Sequence, residues 1–299
     1  MKTLCFGSLN IDNVYHVPHF VTRGETLAAD ALNIFSGGKG LNQSVALARA
    51  GLDVYHAGAI GNDGRFLLNE LKQAGADTRF VYILDDTRTG HAIIQKNEEG
   101  DNSILLFGGA NQKITQAQIG MTLDNFSAGD LLVLQNEISE MAYLISSAKK
   151  RGMLIALNPS PMDDSLIPLL PQVDLLILNE VEAAQFLQVE QDTYPELMIN
   201  DLVQQLPEVS IVLTLGKDGA IFAKGEERIR QNAITVQTVD TTAAGDTFTG
   251  FLLAGIMNGD SPASAMKYAA AAAAIAVTRL GAAPSIPTRE EVLSFLEDR

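Results

Sequence analysis

Short apolar runs recur along the second half of the chain, at residues 131–134, 154–157, 175–178 and 211–213. Each is continuously apolar, too short for a helix, and separated from the next by a helix-like stretch. Strands buried on both faces look like this, so the runs predict a parallel sheet covered by helices. Residues 2–8 and 54–60 read as further strands. Helices are expected over 42–50, closed by Gly51, and over 64–74, ended by Gly75. Residues 12–36 are different: Pro18, Gly24 and alternating apolar positions predict short strands with one covered face. Residues 80–84, 91–96 and 103–107 also read as strands, the last two joined by the polar connection Asn97-Glu98-Glu99-Gly100-Asp101-Asn102. The C-terminal third predicts three helices: 247–258, an alanine-rich one over 262–278, and an amphipathic one over 289–298. No repeat or linker divides the chain. Residues 1–299 are therefore expected to form a single α/β domain, with a small β appendage built from about 12–36 and 88–110.

The predicted strands end in polar residues: Asn136-Glu137, Asn158, Asn179 and Thr214. Ligands of open α/β sheets collect beyond the carboxyl ends of the strands. Four polar ends in succession predict one shared cleft there.

Composition narrows the partners. The formal net charge is −15 and the pI about 4.6. Such a chain gains nothing from counterion release on nucleic acid or anionic lipid, so neither is an expected partner. Any phosphate site must be built locally, from backbone N–H groups and a few cations. The single cysteine, Cys5, sits in an apolar run and reads as a buried thiol, which agrees with a reducing, cytoplasmic setting. The N-terminus turns polar too early for a signal peptide, and no apolar stretch approaches the length of a membrane span.

The strongest chemical signal is Thr241-Thr242-Ala243-Ala244-Gly245-Asp246-Thr247-Phe248. Small residues lead into a carboxylate and then a long apolar run. A turn of this kind leaves N–H groups unpaired at a helix start, where the helix dipole also favours an anion. Asp246 beside such a hole suits activation of a hydroxyl for phosphoryl transfer; an ordinary capped helix is the alternative.

A second cluster, Ser36-Gly37-Gly38-Lys39-Gly40-Leu41-Asn42, permits close backbone approach to a polyhydroxy ligand, but lacks the Walker A spacing. Lys39 is a candidate phosphate cation or a solvated lysine. Asn10 and Asp12 follow the first strand; Asp12 is either a bidentate acceptor for sugar hydroxyls or the acceptor of an Asx-turn. Asn179 and Glu182 stand three apart at a strand-to-helix turn, facing a hydrated Mg²⁺ or capping the helix. Thr214-Leu215-Gly216-Lys217-Asp218-Gly219 is a nucleotide cradle or a hairpin turn.

Taken together, these motifs resemble the ribokinase-like, or PfkB, family of carbohydrate kinases, with motif wording nearest its ribokinase branch. The resemblance spans essentially the whole chain. One signature runs from Gly37-Gly38-Lys39-Gly40-Leu41-Asn42 through Gly51 to Gly61. The other is Asp240-Thr241-Thr242-Ala243-Ala244-Gly245-Asp246-Thr247-Phe248, with Asn179-x-x-Glu182 between the two. It implies a three-layer α/β/α domain with a central, mostly parallel sheet and a small β-sheet lid.

It further implies that Asp246 is the general base and that the N–H groups of Ala243, Ala244 and Gly245 form the anion hole. Asn10, Asp12, Gly38, Lys39, Asn42 and Glu137 would contact a sugar, with Ala92 and Leu106 as apolar lid contacts. Asn179 and Glu182 would serve Mg²⁺ and phosphate; Thr214, Gly216 and Gly219 would serve ATP. Asp240, Thr242, Ala276, Arg279, Gly281 and Ser285 would surround K⁺, mostly through carbonyl oxygens. The lid would also form a homodimer contact.

Three departures stand out: Phe251 where the signature usually has Ala or Gly, Ala269 where Asn or His often approaches the adenine, and His91 in the lid. The expected activity is ATP-dependent phosphorylation of a primary hydroxyl on a small sugar, ribose at O5 first. Another pentose, 2-deoxyribose, a ketohexose or a nucleoside are alternatives, as is a catalytically silent sugar or nucleotide sensor.

Overall fold

The computed structural model describes residues 1–99 and 101–298; Gly100, in the connection expected at 97–102, and Arg299 lie outside the described residues. In chain order the strands are β1 (Thr3–Phe6), β2 (Asn10–His16), β3 (Ala31–Gly37), β4 (Val54–Gly61), β5 (Asp77–Leu84), β6 (Gly90–Lys96), β7 (Asn102–Phe107), β8 (Leu131–Gln135), β9 (Leu154–Asn158), β10 (Leu175–Asn179), β11 (Ser210–Thr214), β12 (Ala220–Lys224) and β13 (Glu227–Gln231). The helices are α1 (Lys39–Arg49), α2 (Leu67–Gln73), α3 (Gln116–Leu123), α4 (Met141–Lys150), α5 (Glu180–Leu187), α6 (Pro195–Gln205), α7 (Ala244–Met257), α8 (Pro262–Ala276) and α9 (Arg289–Glu297).

The main sheet has the order β13-β12-β11-β10-β9-β8-β1-β4-β5. From β11 to β5 every pairing is parallel, while β12 and β13 add an antiparallel edge. Alternation within each strand divides the apolar side chains between two cores. Leu4, Phe6, Leu132 and Leu134 pack with α3 to α6. Cys5, Leu131 and Val133 pack with α1, α2, α7, α8 and α9. Three layers result, because each strand face is buried against its own set of helices.

The parallel runs stand where the apolar pattern puts them. The antiparallel edge does not follow from those runs. β12 and β13 are a hairpin turned at Gly225, whose φ is 53°, and β13 carries a single apolar residue, Ile229, among charged and polar ones, as suits an exposed edge strand.

A second sheet, β3-β2-β6-β7, lies beyond the carboxyl ends of the main strands. Only Gly7, Ser8 and Leu9 separate β1 from β2, and β3 runs directly into α1. Register puts Phe35, Asp12, Ala92 and Leu106 in one row on one face. Ile11, His91 and Phe107 belong to the opposite face. His91 therefore points away from the Asp12 row, and its ring meets Phe107 at 5.0 Å.

The helix pair α7 and α8 accommodates Phe251. Its ring is fully buried and meets Tyr268 edge-on at 5.1 Å, so the departure from a small residue is absorbed by aromatic packing. Gly250, on the neighbouring turn, lets α1 approach: a Cβ there would stand 2.4 Å from that of Ala46.

Candidate active site

α7 opens on Ala243, a non-glycine residue with φ 58°. A left-handed alanine costs about 1–2 kcal/mol. It turns the chain so that the first turn of α7 faces the sheet ends. Gly245 is exposed and a Cβ there would meet no atom within 4 Å, so the space above the turn is open. The N–H groups of a first turn have no intrahelical acceptor. That of Ala244 is partly engaged, however, donating to the Thr241 carbonyl at 3.2 Å. Of the three donors expected for an anion hole, the turn preceding the helix therefore uses one, that of Ala244.

Asp246 is buried and fully oriented. Asn42 Nδ2 donates to its Oδ2 at 3.2 Å, and Gln43 Nε2 to its Oδ1 at 3.0 Å. Both amides come from the start of α1. The helix begins at Lys39, three residues before the expected 42, since Gly38 (φ 94°) makes the turn out of β3.

A polar cavity of about 240 Å³ lies against Asp246. Its walls bring together Lys39, Asn158, Asn179, Glu182, Thr214 and the loop 241–246. A larger, mostly apolar cavity of about 490 Å³ adjoins it and shares Thr241 and Ala244. Gly216 and Gly219 line the larger one, facing Phe248, Ala270, Ala273, Ala274 and Val277. The segment Thr214–Gly219 is thus both a strand connection, between β11 and β12, and a cavity wall. Ala269 is not part of that wall. It is fully buried on the core side of α8, while Ala270, Ala273 and Ala274 line the cavity, so a side-chain base contact from position 269 is missing, as the departure implies.

Among the sugar-contact candidates, Asn42 touches Asp246, while Lys39 and Glu137 interact with it electrostatically. Glu137 accepts from the Ser8 hydroxyl and from the Lys39 N–H at 3.1 Å. Burial raises its pKa against the opposing pull of Ser8 and Lys39. Burial, then Glu137, pushes Asp12 up to about 6. Gly37 makes room for that carboxylate, since a Cβ would lie 2.1 Å from Asp12 Oδ2. Asn10 is buried and its Oδ1 accepts from Asn111 Nδ2 at 2.7 Å, which holds it at the start of β2. Lys39 is not a freely solvated lysine. Burial opposes its charge, but Asp246, Glu137 and Glu182 together carry its pKa above the ordinary value.

Asn179 and Glu182 form a reciprocal capping box at the start of α5: Asn179 Oδ1 accepts from the Glu182 N–H at 2.9 Å, and Glu182 Oε2 from the Asn179 N–H at 3.0 Å. The capping reading holds, and the same pair lines the polar cavity. Among the described residues no cluster of three or more His, Cys, Asp or Glu is placed to hold a metal.

Asp240 ties the last predicted group together. Its Oδ1 accepts from the Thr242 N–H and hydroxyl, and its Oδ2 from the Gly281 N–H at 3.0 Å. Arg279 turns its guanidinium outward to Glu291, and the Ser285 hydroxyl donates to the Ala282 carbonyl. Any contribution of Arg279 to an ion must come through its main chain. Ala276 ends α8, and its carbonyl accepts from the Arg279 N–H at 3.0 Å.

Sequence reasoning left Gln43, Gln135 and the alanine wall unassigned. Gln43 stood in view, directly after Asn42 in the glycine signature.

The whole-chain comparison agrees with this geometry. The model of the pfkB family carbohydrate kinases matches residues 1–289. The chain belongs to that family. The ribokinase of Haemophilus influenzae is 37% identical over 303 residues, covering 99% of each chain. The deoxyribokinase of Salmonella typhi is 32% identical, again over 99% of each. Among solved structures, Arabidopsis thaliana ribokinase complexed with ribose and ATP superposes with a TM-score of 0.89, at 30% identity over 99% of this chain and 98% of that one. The three-layer fold with its smaller sheet is the ribokinase-like fold.

Proposed function

We propose that this carbohydrate kinase transfers the γ-phosphoryl group of ATP to O5 of ribose. The observation that carries the proposal is the meeting of two cavities at Thr241 and Ala244, with Asp246 at the polar side of the junction. The apolar cavity is of a size and character to take an adenosine moiety, and the polar one to take phosphates. The names of the Haemophilus and Arabidopsis relatives support ribose.

In this reading Asp12 and Glu137 accept hydrogen bonds from sugar hydroxyls, with Asn42 beside them; its buried Oδ1 has no partner among the described residues. Asn10 and Gly38 border the sugar, and Ala92 and Leu106 cover it from the second sheet, which acts as a lid. The sugar's primary hydroxyl gives its proton to Asp246, and the Ala243 and Gly245 N–H groups receive the phosphoryl oxygens. Phosphoryl transfer needs positioning and charge neutralisation above all, and the covering sheet limits hydrolysis by excluding water.

Mg²⁺ fits the polar cavity as a hydrated ion. The donors there are oxygens, and Asn179 and Glu182 are already engaged in the cap, so water and phosphate would supply most ligands. When bound, the ion neutralises phosphate charge. K⁺ would be held beside Asp240 by main-chain carbonyls of Ala276, Arg279, Gly281 and Ser285, with Thr242 bonded to the same carboxylate. The exposed apolar residues Ile34, Ile93, Leu105 and Phe107 share the outer face of the second sheet and support a homodimer through it. Sedimentation at micromolar concentration should give a dimer; a monomer removes that part. No helix among the described residues is long and apolar enough to cross a membrane, and the acidic charge disfavours nucleic acid; the enzyme is assigned to the cytoplasm.

A panel of initial rates tests the reading. With ATP and Mg²⁺, kcat/KM should be highest for ribose and rise with K⁺ over Na⁺. The Salmonella relative makes 2-deoxyribose the rival. Preference for it, for fructose or for a nucleoside would overturn ribose. Silence across the panel with ATP still bound would favour a sensor.

A further inference from the structure

α1 presents two consecutive amides to Asp246, and they are not equivalent. Both are buried, and each donates to a different carboxylate oxygen. A carboxylate only accepts, so the amide ends facing it must be the NH₂ groups. For Asn42 this leaves Oδ1 buried and without a partner among the described residues. For Gln43 nothing is left over. Its Oε1 accepts from Gln135 Nε2 at 2.5 Å, and its NH₂ group also reaches Asn158 Oδ1 at 3.3 Å. Gln135 is fully buried at the carboxyl end of β8, and its NH₂ group also reaches Cys5 Sγ on the neighbouring β1 at 3.7 Å. A directed chain results, from Gln135 to Gln43 to Asp246, tying the carboxylate to β8 of the main sheet as well as to α7.

We infer that Gln43, oriented by Gln135, is a positioning residue that holds the Asp246 carboxylate at the angle needed to take the substrate's proton. This rests on Asp246 being the base. Buried amides cannot be replaced by water, so losing Gln43 frees Asp246 to rotate about one remaining amide. The cost falls on the transition state, where small misplacements are amplified, and not on binding.

The test uses the intact enzyme with Q43M, Q135M and the double variant, and D246N alongside. Met keeps the volume and removes the donors. Q43M should lower kcat about tenfold to a hundredfold with both KM values within about twofold. Q135M should lower kcat less, and the double variant should match Q43M, because Gln135 acts only through Gln43. An unchanged kcat in folded Q43M, a change confined to KM, or additive losses in the double variant would overturn the inference. If Q43M does not fold, Q135M decides: a kcat loss at constant KM supports the chain and no loss overturns it. Near-normal turnover by D246N would remove the base assignment itself; an inactive D246N with a normal Q43M removes only the role of Gln43.

Discussion

The two cavities that meet at the start of α7 are built from opposite materials. The larger is walled mainly by small apolar side chains of α8 and by the 233–238 segment, with glycines at its rim. The smaller is walled by amides, carboxylates and Lys39; Asn179 and Glu182 are bonded to each other, and Asp246 and Asn158 to Gln43 behind the wall. An apolar wall is indifferent to the exact pose of a flat ligand, whereas a wall of committed hydrogen bonds tolerates little displacement. The first suits binding and the second suits chemistry. Substitutions in the two should accordingly separate KM from kcat.

The largest effect is expected on the polar side. D246N should lower kcat by roughly 10²–10⁴-fold while ribose still binds, as measured by steady-state rates and a binding titration. On the apolar side, A273F should fill the wall opposite Gly216 and raise KM for ATP about tenfold or more, leaving kcat at saturating ATP within a few fold. An equal loss of kcat would show that the cavities are not separable.

G250V tests what joins α1 to α7. Its branched side chain would collide with Ala46 and Leu47, costing about 1–3 kcal/mol of stability in chemical denaturation. The same shift moves Asn42 and Gln43 away from Asp246, so kcat should fall in proportion to the distortion. A stability loss with unchanged kcat would detach the amides from catalysis.

The gentlest probe is pH. Asp12 is raised from 3.8 to about 6 by burial and then by Glu137. Sugar hydroxyls prefer the carboxylate, so ribose affinity should decline as pH falls through about 6. The sign for the empty protein is opposite. A raised carboxyl pKa contributes stability below pH 3.8 that is lost as pH rises through about 6. D12N should remove the Asp12 part of both trends and leave that of Glu137, whose pKa burial also raises.

Much of the fold was legible because the parallel strands are buried on both faces and so appear as uninterrupted apolar runs. β12 and β13 escaped since Ala220–Lys224 is apolar without a helix following it, and Glu227–Gln231 is an exposed edge. The motif residues were legible as a set. Their hydrogen bonds were not: spacing places Asn42 and Gln43 on one helix start, but only the approach of α7 reveals that both reach Asp246. An alanine-rich helix such as α8 can pack closely on its neighbours. In the structure Ala269 does so, while Ala270, Ala273 and Ala274 leave space instead. The choice between packing and vacancy depends on what the facing element supplies, here the 233–238 segment.

The most direct test of the central claim is the position of the transferred phosphoryl group. Wild-type enzyme, ribose, ATP and Mg²⁺ would be incubated and the product followed by ³¹P NMR with proton coupling. The account predicts a phosphorus signal split by the two C5 methylene protons, as in ribose 5-phosphate. A phosphoryl group on a ring or anomeric hydroxyl, or free phosphate alone, would contradict it.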